Sequence, residues 1–228
     1  MQIVIHQINL NFIVLQSKFS NIRNDYKRLS LRRDNLEGLP LLQLKKWLEE
    51  AVETEHTEPT AMTLATVDAT GQPSQRVVLL KDISDKGLTF FTNYLSKKGQ
   101  HIDFSPKASV NFFWAMLERQ VRLDGVVKKI SAKESDAYFA SRPRESQIGA
   151  WASPQSEMVQ DSAYLNKMYR EFEEKFSGME IPRPARWGGY VLVPHRIEFW
   201  QGRPGRMHDR FVYQAAKGGE WDIFRLAP

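Results

Sequence analysis

Short β-rich segments separated by Gly, Pro, Asn and Asp turns recur along this chain and limit the folds open to it. Ala61 to Val67, Gln75 to Lys81, Leu88 to Asn93, Ala108 to Trp114 and Gln120 to Lys128 read as strands. Asp68 to Pro73 and Asp82 to Gly87 read as turns between them. A second group follows, Gly189 to Val193, Ile197 to Gln201, Phe211 to Gln214 and Trp221 to Leu226. Strands this short and this closely spaced leave no room for the crossover helices of a parallel α/β sheet. They predict a barrel or sandwich, mainly β with peripheral helices (α+β).

The helices fall outside those runs. Pro40 stands where a first helical residue often does, and Leu41, Leu44, Trp47, Leu48, Ala51 and Val52 follow at helical spacing, with an end near Glu55. Ser96 to Phe104 is a short polar helix or loop. Ser131 and Glu134 form a capping box that opens a helix through Tyr138 to Ser141. After a Pro, Ser and Gln-rich stretch from Arg142 to Ser156, a helix is expected from Ser162 to Phe176. Leu165, Met168, Phe172 and Phe176 form its expected buried stripe. No internal repeat or low-complexity linker interrupts residues 21–228, which read as one domain, and residues 1–20 read as an extension.

Composition narrows the chemistry. With no cysteine, disulfides, thiol nucleophiles and iron–sulfur clusters are excluded. The five histidines lack metal-ligand spacing, so no metal is expected. No Gly-rich loop opens a helix after a strand, and no Walker loop, nucleophile elbow or zinc-protease motif is present. Met1 to Leu15 is apolar, yet it lacks the basic start and cleavage site of a signal peptide and is too polar to span a bilayer. A cytoplasmic location away from membranes is the expectation. The net charge of +5 suits phosphorylated ligands or nucleic acid.

What remains is a repeated association of cations with hydroxyls and amides. Arg76 and Lys81 bracket one strand, and their odd separation puts them on opposite faces of an ideal strand unless a bulge intervenes. Thr92 precedes Ser96, Lys97 and Lys98. Tyr138, Arg142 and Ser146 gather at the end of the capped helix, and Gln155 and Ser156 follow. Phosphate recognition uses this mixture. Arg206, His208 and Arg210 are spaced by two, so an extended segment points them one way, with Met207, Asp209 and Phe211 opposite. Such a face suits an anionic or electron-rich ligand. The alternative is a solvated strand, ion-paired to Asp209 and Glu198.

Several stretches together resemble the pyridoxine/pyridoxamine 5′-phosphate oxidase family. They are Arg76 to Lys81, Phe91 to Asn93, Glu118 to Val121, Ser141 to Ala150, Trp187 to Gly189, Glu198 to Gly202, Arg206 to Arg210 and Arg225 to Pro228. The resemblance runs from about Arg23 to the C-terminus, with Lys97 where Arg is frequent and Met207 where Leu is frequent. It implies a split β-barrel that binds flavin mononucleotide (FMN) and works as a homodimer, with two sites built across the interface. It implies oxidation of pyridoxine or pyridoxamine 5′-phosphate by dioxygen to pyridoxal 5′-phosphate, with release of hydrogen peroxide and, from the amine, ammonia.

Carried over by position, the run Arg76, Val77, Val78, Leu79, Leu80 and Lys81 would bind FMN. Phe91, Thr92, Lys97, Lys98, Gln155 and Ser156 would join it near the phosphate, with Gln120, Trp200 and Arg210 at the flavin ring and ribityl chain. Lys81, Tyr138, Arg142 and Ser146 would hold the substrate phosphate. Arg206, Met207 and His208 would meet the substrate ring, with Arg206 and His208 the catalytic pair, and Arg23 and Tyr26 would close over it. Two other readings stand beside this one. A non-catalytic FMN- or pyridoxal-phosphate-binding split barrel would have no need of Arg206 and His208. A nucleic-acid-binding barrel would show a continuous basic stripe with exposed aromatics.

Overall fold

The computed structural model describes residues 19–21, 25–54 and 57–228. Helix α1 spans Pro40–Thr54, and its Leu44, Trp47 and Ala51 are buried at the spacing seen in the sequence. Strands β1 (Ala61–Val67), β2 (Pro73–Leu79), β3 (Asp82–Ser84) and β4 (Gly87–Asn93) follow. Then come α2 (Lys97–Phe104), β5 (Lys107–Trp114), β6 (Arg119–Lys129), α3 (Ala132–Ser141), α4 (Arg144–Ala152) and α5 (Ser162–Lys175). Strands β7 (Trp187–Gln201), β8 (Asp209–Ala215) and β9 (Trp221–Leu226) complete the described chain.

The strands form one antiparallel sheet in the order β2-β1-β5-β6-β7-β4-β3, with β8 on β7 and β9 on β8. The sheet curls into a split barrel with the helices outside it. Alternation of side chains decides which face is the core: β1 and β6 bury every second residue. Met62, Leu64, Phe112, Val121, Leu123, Ile197, Phe199 and Tyr213 fill the interior with Trp47 of α1. A smaller apolar cluster of Phe139, Ile148, Phe176, Ile181 and Trp187 lies under the helices.

Strand β7 is the spine. Its first half pairs with β4 and its second half with β8, while β6 runs along its other edge. The sequence predicts two strands here, separated around Pro194. The structure has one, because the register shifts at Asp124/Gly125 and leaves His195 without a pairing partner on β6. Such a bulge accommodates a residue with no N–H to give the ladder. Gly125 is required there: a Cβ would lie 2.4 Å from the Val193 carbonyl oxygen.

Three other expectations change. The Pro, Ser and Gln-rich stretch from Arg142 to Ser156, for which the sequence predicts no element, holds α4 at its centre. The Gln147 amide donates to the carbonyls of Phe139, Ala140 and Arg142, which joins the end of α3 to α4. The turn after Lys81 contains a short strand, β3, paired with β4. The stripe on α5 is not buried: Leu165 is 36% exposed, and within the stripe only Phe176, just past the helix, is in the core. This helix packs on α4 at the rim, and its Tyr169 and Phe172 reach the apolar cluster while staying only partly buried.

The capping box at Ser131 forms as predicted. Its hydroxyl accepts from the Glu134 N–H at 3.1 Å, and the Glu134 carboxylate accepts from the Ser131 N–H at 3.0 Å. No helix among the described residues is long and apolar enough to cross a membrane. None of their His, Asp and Glu side chains group in threes suited to a metal ion.

Candidate active site

A cleft of about 720 Å³ opens where β2, β4, α2, α3 and α4 meet. It is lined by Arg76, Lys81, Lys98 and Arg142, and no acidic side chain lines it among the described residues. Four cations without a counter-charge repel one another, so the cleft is built for an anion.

At one end Lys98, almost fully buried, donates to Thr92 Oγ1 at 3.1 Å, Ser96 Oγ at 3.3 Å and Gln155 Oε1 at 2.9 Å. Burial, reinforced by the nearby Arg76 charge, lowers its pKa to about 8. Arg76 is also pushed down by burial, and its guanidinium donates to the hydroxyls of Thr66 and Ser74. At the other end Arg142 lies 4.6 Å over the Trp187 ring, and its Nη1 is buried with no hydrogen-bond partner among the described residues. Burial lowers Arg142 and raises the neighbouring Tyr138. Tyr138 stacks on Phe91 at 3.8 Å between centroids, and Phe91 on Trp187 at 5.4 Å, giving the cleft a flat aromatic wall.

Arg76 and Lys81 both line this cleft, against the opposite-face expectation. The reason is that β2 ends at Leu79. The Leu80 N–H goes to the Thr60 carbonyl and the Lys81 N–H to that of Thr89, so the chain leaves one partner strand for another and the alternation resets. Leu80 points into the core, whereas Val77, Val78, Leu79 and Ser146 line the cleft. Lys97 and Ser156 are exposed and do not line it, and Ser156 holds a left-handed φ of 76°. Ser141, Pro143 and Trp187 also line it. Trp187 could have been anticipated as an aromatic beside paired glycines.

A second group gathers elsewhere, and none of it lines the cleft. Gln120, Trp200 and Arg210 form one row across β6, β7 and β8. His208 packs 4.6 Å from Trp200, and Tyr26 meets both rings at 5.6 and 5.8 Å. Arg206 does not continue an extended segment. It ends a 3-10 turn, Pro204–Arg206, with φ of 64°, and β8 begins only at Asp209. Equal spacing therefore does not put Arg206 in line with His208 and Arg210, because the Pro–Gly turn curls the chain before the strand starts. Met207 is exposed.

The His208 Nδ1 accepts from the Arg203 N–H at 3.1 Å, and burial with the Arg206 charge lowers its pKa. Asp209, facing the other way, takes the Leu31 N–H at 3.0 Å and pairs with Arg225. It fixes the chain after Tyr26 against β8. Arg23 lies outside the described residues.

Residues 48–176 match the family described as pyridoxamine 5′-phosphate oxidase. Residues 187–228 match the pyridoxine 5′-phosphate oxidase C-terminal dimerisation region. This chain belongs to the pyridoxamine 5′-phosphate oxidase family. It is an oxidoreductase, and its cofactor is FMN. The pyridoxine/pyridoxamine 5′-phosphate oxidase 1 of Ralstonia nicotianae is 52% identical over 93% of this chain and 100% of its own. The pyridoxine/pyridoxamine 5′-phosphate oxidase of Acaryochloris marina is 49% identical over 93% of this chain and 97% of its own. Among solved structures, PhzG from Burkholderia lata, in complex with tetrahydrophenazine-1-carboxylic acid, superposes with a TM-score of 0.83. It is 30% identical and covers 90% of this chain and all of its own.

Proposed function

We propose that this chain oxidises pyridoxine 5′-phosphate or pyridoxamine 5′-phosphate with dioxygen, yielding pyridoxal 5′-phosphate, hydrogen peroxide and, from the amine, ammonia. Residues 21–228 act as the oxidase unit, in the cytoplasm, and residues 1–20 as an extension. The observation that carries the reading is the cleft with four cations and no acid, one of them with a buried unpartnered Nη1. The donor set fits two phosphate esters.

Arg76 and Lys98, with Thr92 and Gln155 fixing the ammonium, hold the phosphate of FMN. Lys81, Tyr138, Arg142 and Ser146 hold the substrate phosphate, and the orphan Nη1 is the donor that substrate satisfies. Val77, Val78, Leu79, Phe91, Lys97, Gln120, Ser156, Trp200 and Arg210 complete the cofactor contacts, and the Leu80 backbone holds the run in place. Tyr26, Arg206, Met207 and His208 face the substrate ring, and Arg23 joins the substrate-binding set on the strength of the family resemblance.

The cleft and the Tyr26–Trp200–His208 group are separate on one chain. A homodimer, joined through the matched dimerisation region, brings the cleft of one copy to the second group of the other. FMN supplies the hydride acceptor. With Nδ1 occupied by the Arg203 N–H and the pKa lowered, His208 is a neutral ring carrying its hydrogen on Nε2. It orients the substrate as a donor and is no strong base. Arg206 adds positive charge beside the ring, and the protein places the reacting carbon.

The test is anaerobic. The purified protein should be yellow, bleach when pyridoxine 5′-phosphate is added without oxygen, and recover its colour with peroxide release when air is admitted. Colour that persists under substrate would favour a protein that binds FMN without turnover.

A further inference from the structure

Behind Arg76 lies a buried polar relay that the proposed reaction leaves unused. A guanidinium has five N–H donors and no acceptor. Here Nη1 donates to Thr66 Oγ1 at 2.6 Å and to the Leu64 carbonyl at 3.3 Å, and Nη2 donates to Ser74 Oγ at 2.8 Å. Among the described residues the Nε–H and one hydrogen on Nη2 meet no acceptor and are left for a ligand. Thr66 is fully buried, and its hydroxyl is 3.1 Å from Nδ1 of His101, itself 5% exposed.

The hydroxyl has a single hydrogen. Since Arg76 can only donate, a lone pair of Thr66 must face it, and the hydrogen must go elsewhere. Among the described residues His101 Nδ1 is the acceptor within reach of it, and with the hydroxyl donating there the ring hydrogen sits on Nε2. Without that acceptor the hydroxyl is free to turn its hydrogen toward the guanidinium. His101 also stands one turn beyond Lys98 on α2, so the same contact ties the helix carrying Lys98 to the strands carrying Arg76.

We infer that Thr66 and His101 are positioning residues that set Arg76 and hold it beside Lys98 for a phosphate ester. This rests on the reading of Arg76 as a ligand of the FMN phosphate. Sequence alone showed His101 only as one of five scattered histidines.

The experiment is a double-mutant cycle on the full-length dimer, read as the FMN dissociation constant by flavin fluorescence. Folding of each flavin-free variant is followed by circular dichroism. Thr66→Val should weaken FMN about tenfold, the order expected for one hydrogen bond to a charged group. His101→Leu should weaken it less, and Thr66→Ser should restore it. In an Arg76→Ala background Thr66→Val and His101→Leu should cost much less, because the group they set is gone and only their hold on the Lys98 helix remains. At saturating FMN the KM for pyridoxine 5′-phosphate should not move.

Unchanged FMN affinity in Thr66→Val, or losses that multiply with Arg76→Ala, would overturn the relay and leave the assignment of Arg76 intact. If Arg76→Ala itself leaves FMN affinity unchanged, the assignment of Arg76 fails first. Should Thr66→Val not fold, the His101→Leu and Arg76→Ala cycle decides the matter with the same readings.

Discussion

Glu198 accepts from both Nε and Nη2 of Arg210, each at 2.8 Å, across the β7–β8 pairing, and the carboxylate is almost wholly buried. Arg122 and Arg196 approach its other oxygen at 3.8 Å. One carboxylate therefore holds three guanidiniums on the sheet face that carries Trp200. Glu198→Gln keeps the shape and removes the charge. It should lower stability to urea by about 2 kcal/mol, since Arg196 and Arg210, both partly buried, lose their partner, while exposed Arg122 adds little. An unchanged unfolding midpoint would show that solvent already screens the cluster.

Lys98 gives a pH dependence with a defined sign. In the ligand-free protein burial and Arg76 hold its pKa at about 8, below the ordinary lysine value. A phosphate dianion beside it favours the ammonium, so the bound state keeps its proton to higher pH. Binding then takes up a proton above pH 8, and FMN affinity should fall by about tenfold per pH unit from there upward. The ligand-free fold runs the other way. Its unfolded chain binds the proton more tightly, so stability rises with pH once pH passes about 8. Fluorescence titrations at pH 7, 8 and 9 measure the first effect. Lys98→Arg, charged throughout, should flatten it, and a flat profile in the unsubstituted protein would remove Lys98 from the phosphate site.

Arg142→Ala and Arg76→Ala separate the two phosphates. The first should purify yellow with a substrate KM raised about tenfold or more. The second should purify depleted of flavin and regain activity in excess FMN, with no rescue by excess substrate. The losses should be nearly independent. Equal weakening of FMN by both would mean that the cleft is not divided as proposed.

Gly202 marks where the N-terminal segment lies against the sheet. A Cβ there would sit 2.7 Å from Cγ and 2.9 Å from Cβ of Tyr26, the stiff base of that side chain. Gly202→Ala should displace Tyr26 from Trp200 and His208, raise the substrate KM about tenfold and leave FMN binding alone. In a Tyr26→Ala background the same change should do little. A KM effect that survives there would trace the loss to the turn itself.

Strands β1, β5 and β6 were legible because each buries alternate residues, and alternation between turn residues is a local signal. The capped helix α3 was legible for the same reason, since Ser131 and Glu134 sit three apart and satisfy each other. Helix α4 was not. Gly149 and two serine-rich flanks argue against a helix locally, and what holds it is Gln147 bonding back to α3 and Ile148 packing beside Phe139.

The chemistry present could be read from the chain alone: cations beside hydroxyls and amides, no thiols, and motifs in family order. Those are statements about residue types and short spacings, which need no fold. Which of them meet was settled by the packing of the fold. It brought Arg76 and Lys81 to one cleft by ending β2 at Leu79, and it turned Arg206 out of line with His208 and Arg210 through the Pro204–Arg206 turn. It also put Thr66 and His101, thirty-five residues apart, within hydrogen-bonding reach behind Arg76. Side-chain direction depends on where a strand changes partner, and partner exchange is set by contacts distant in the chain.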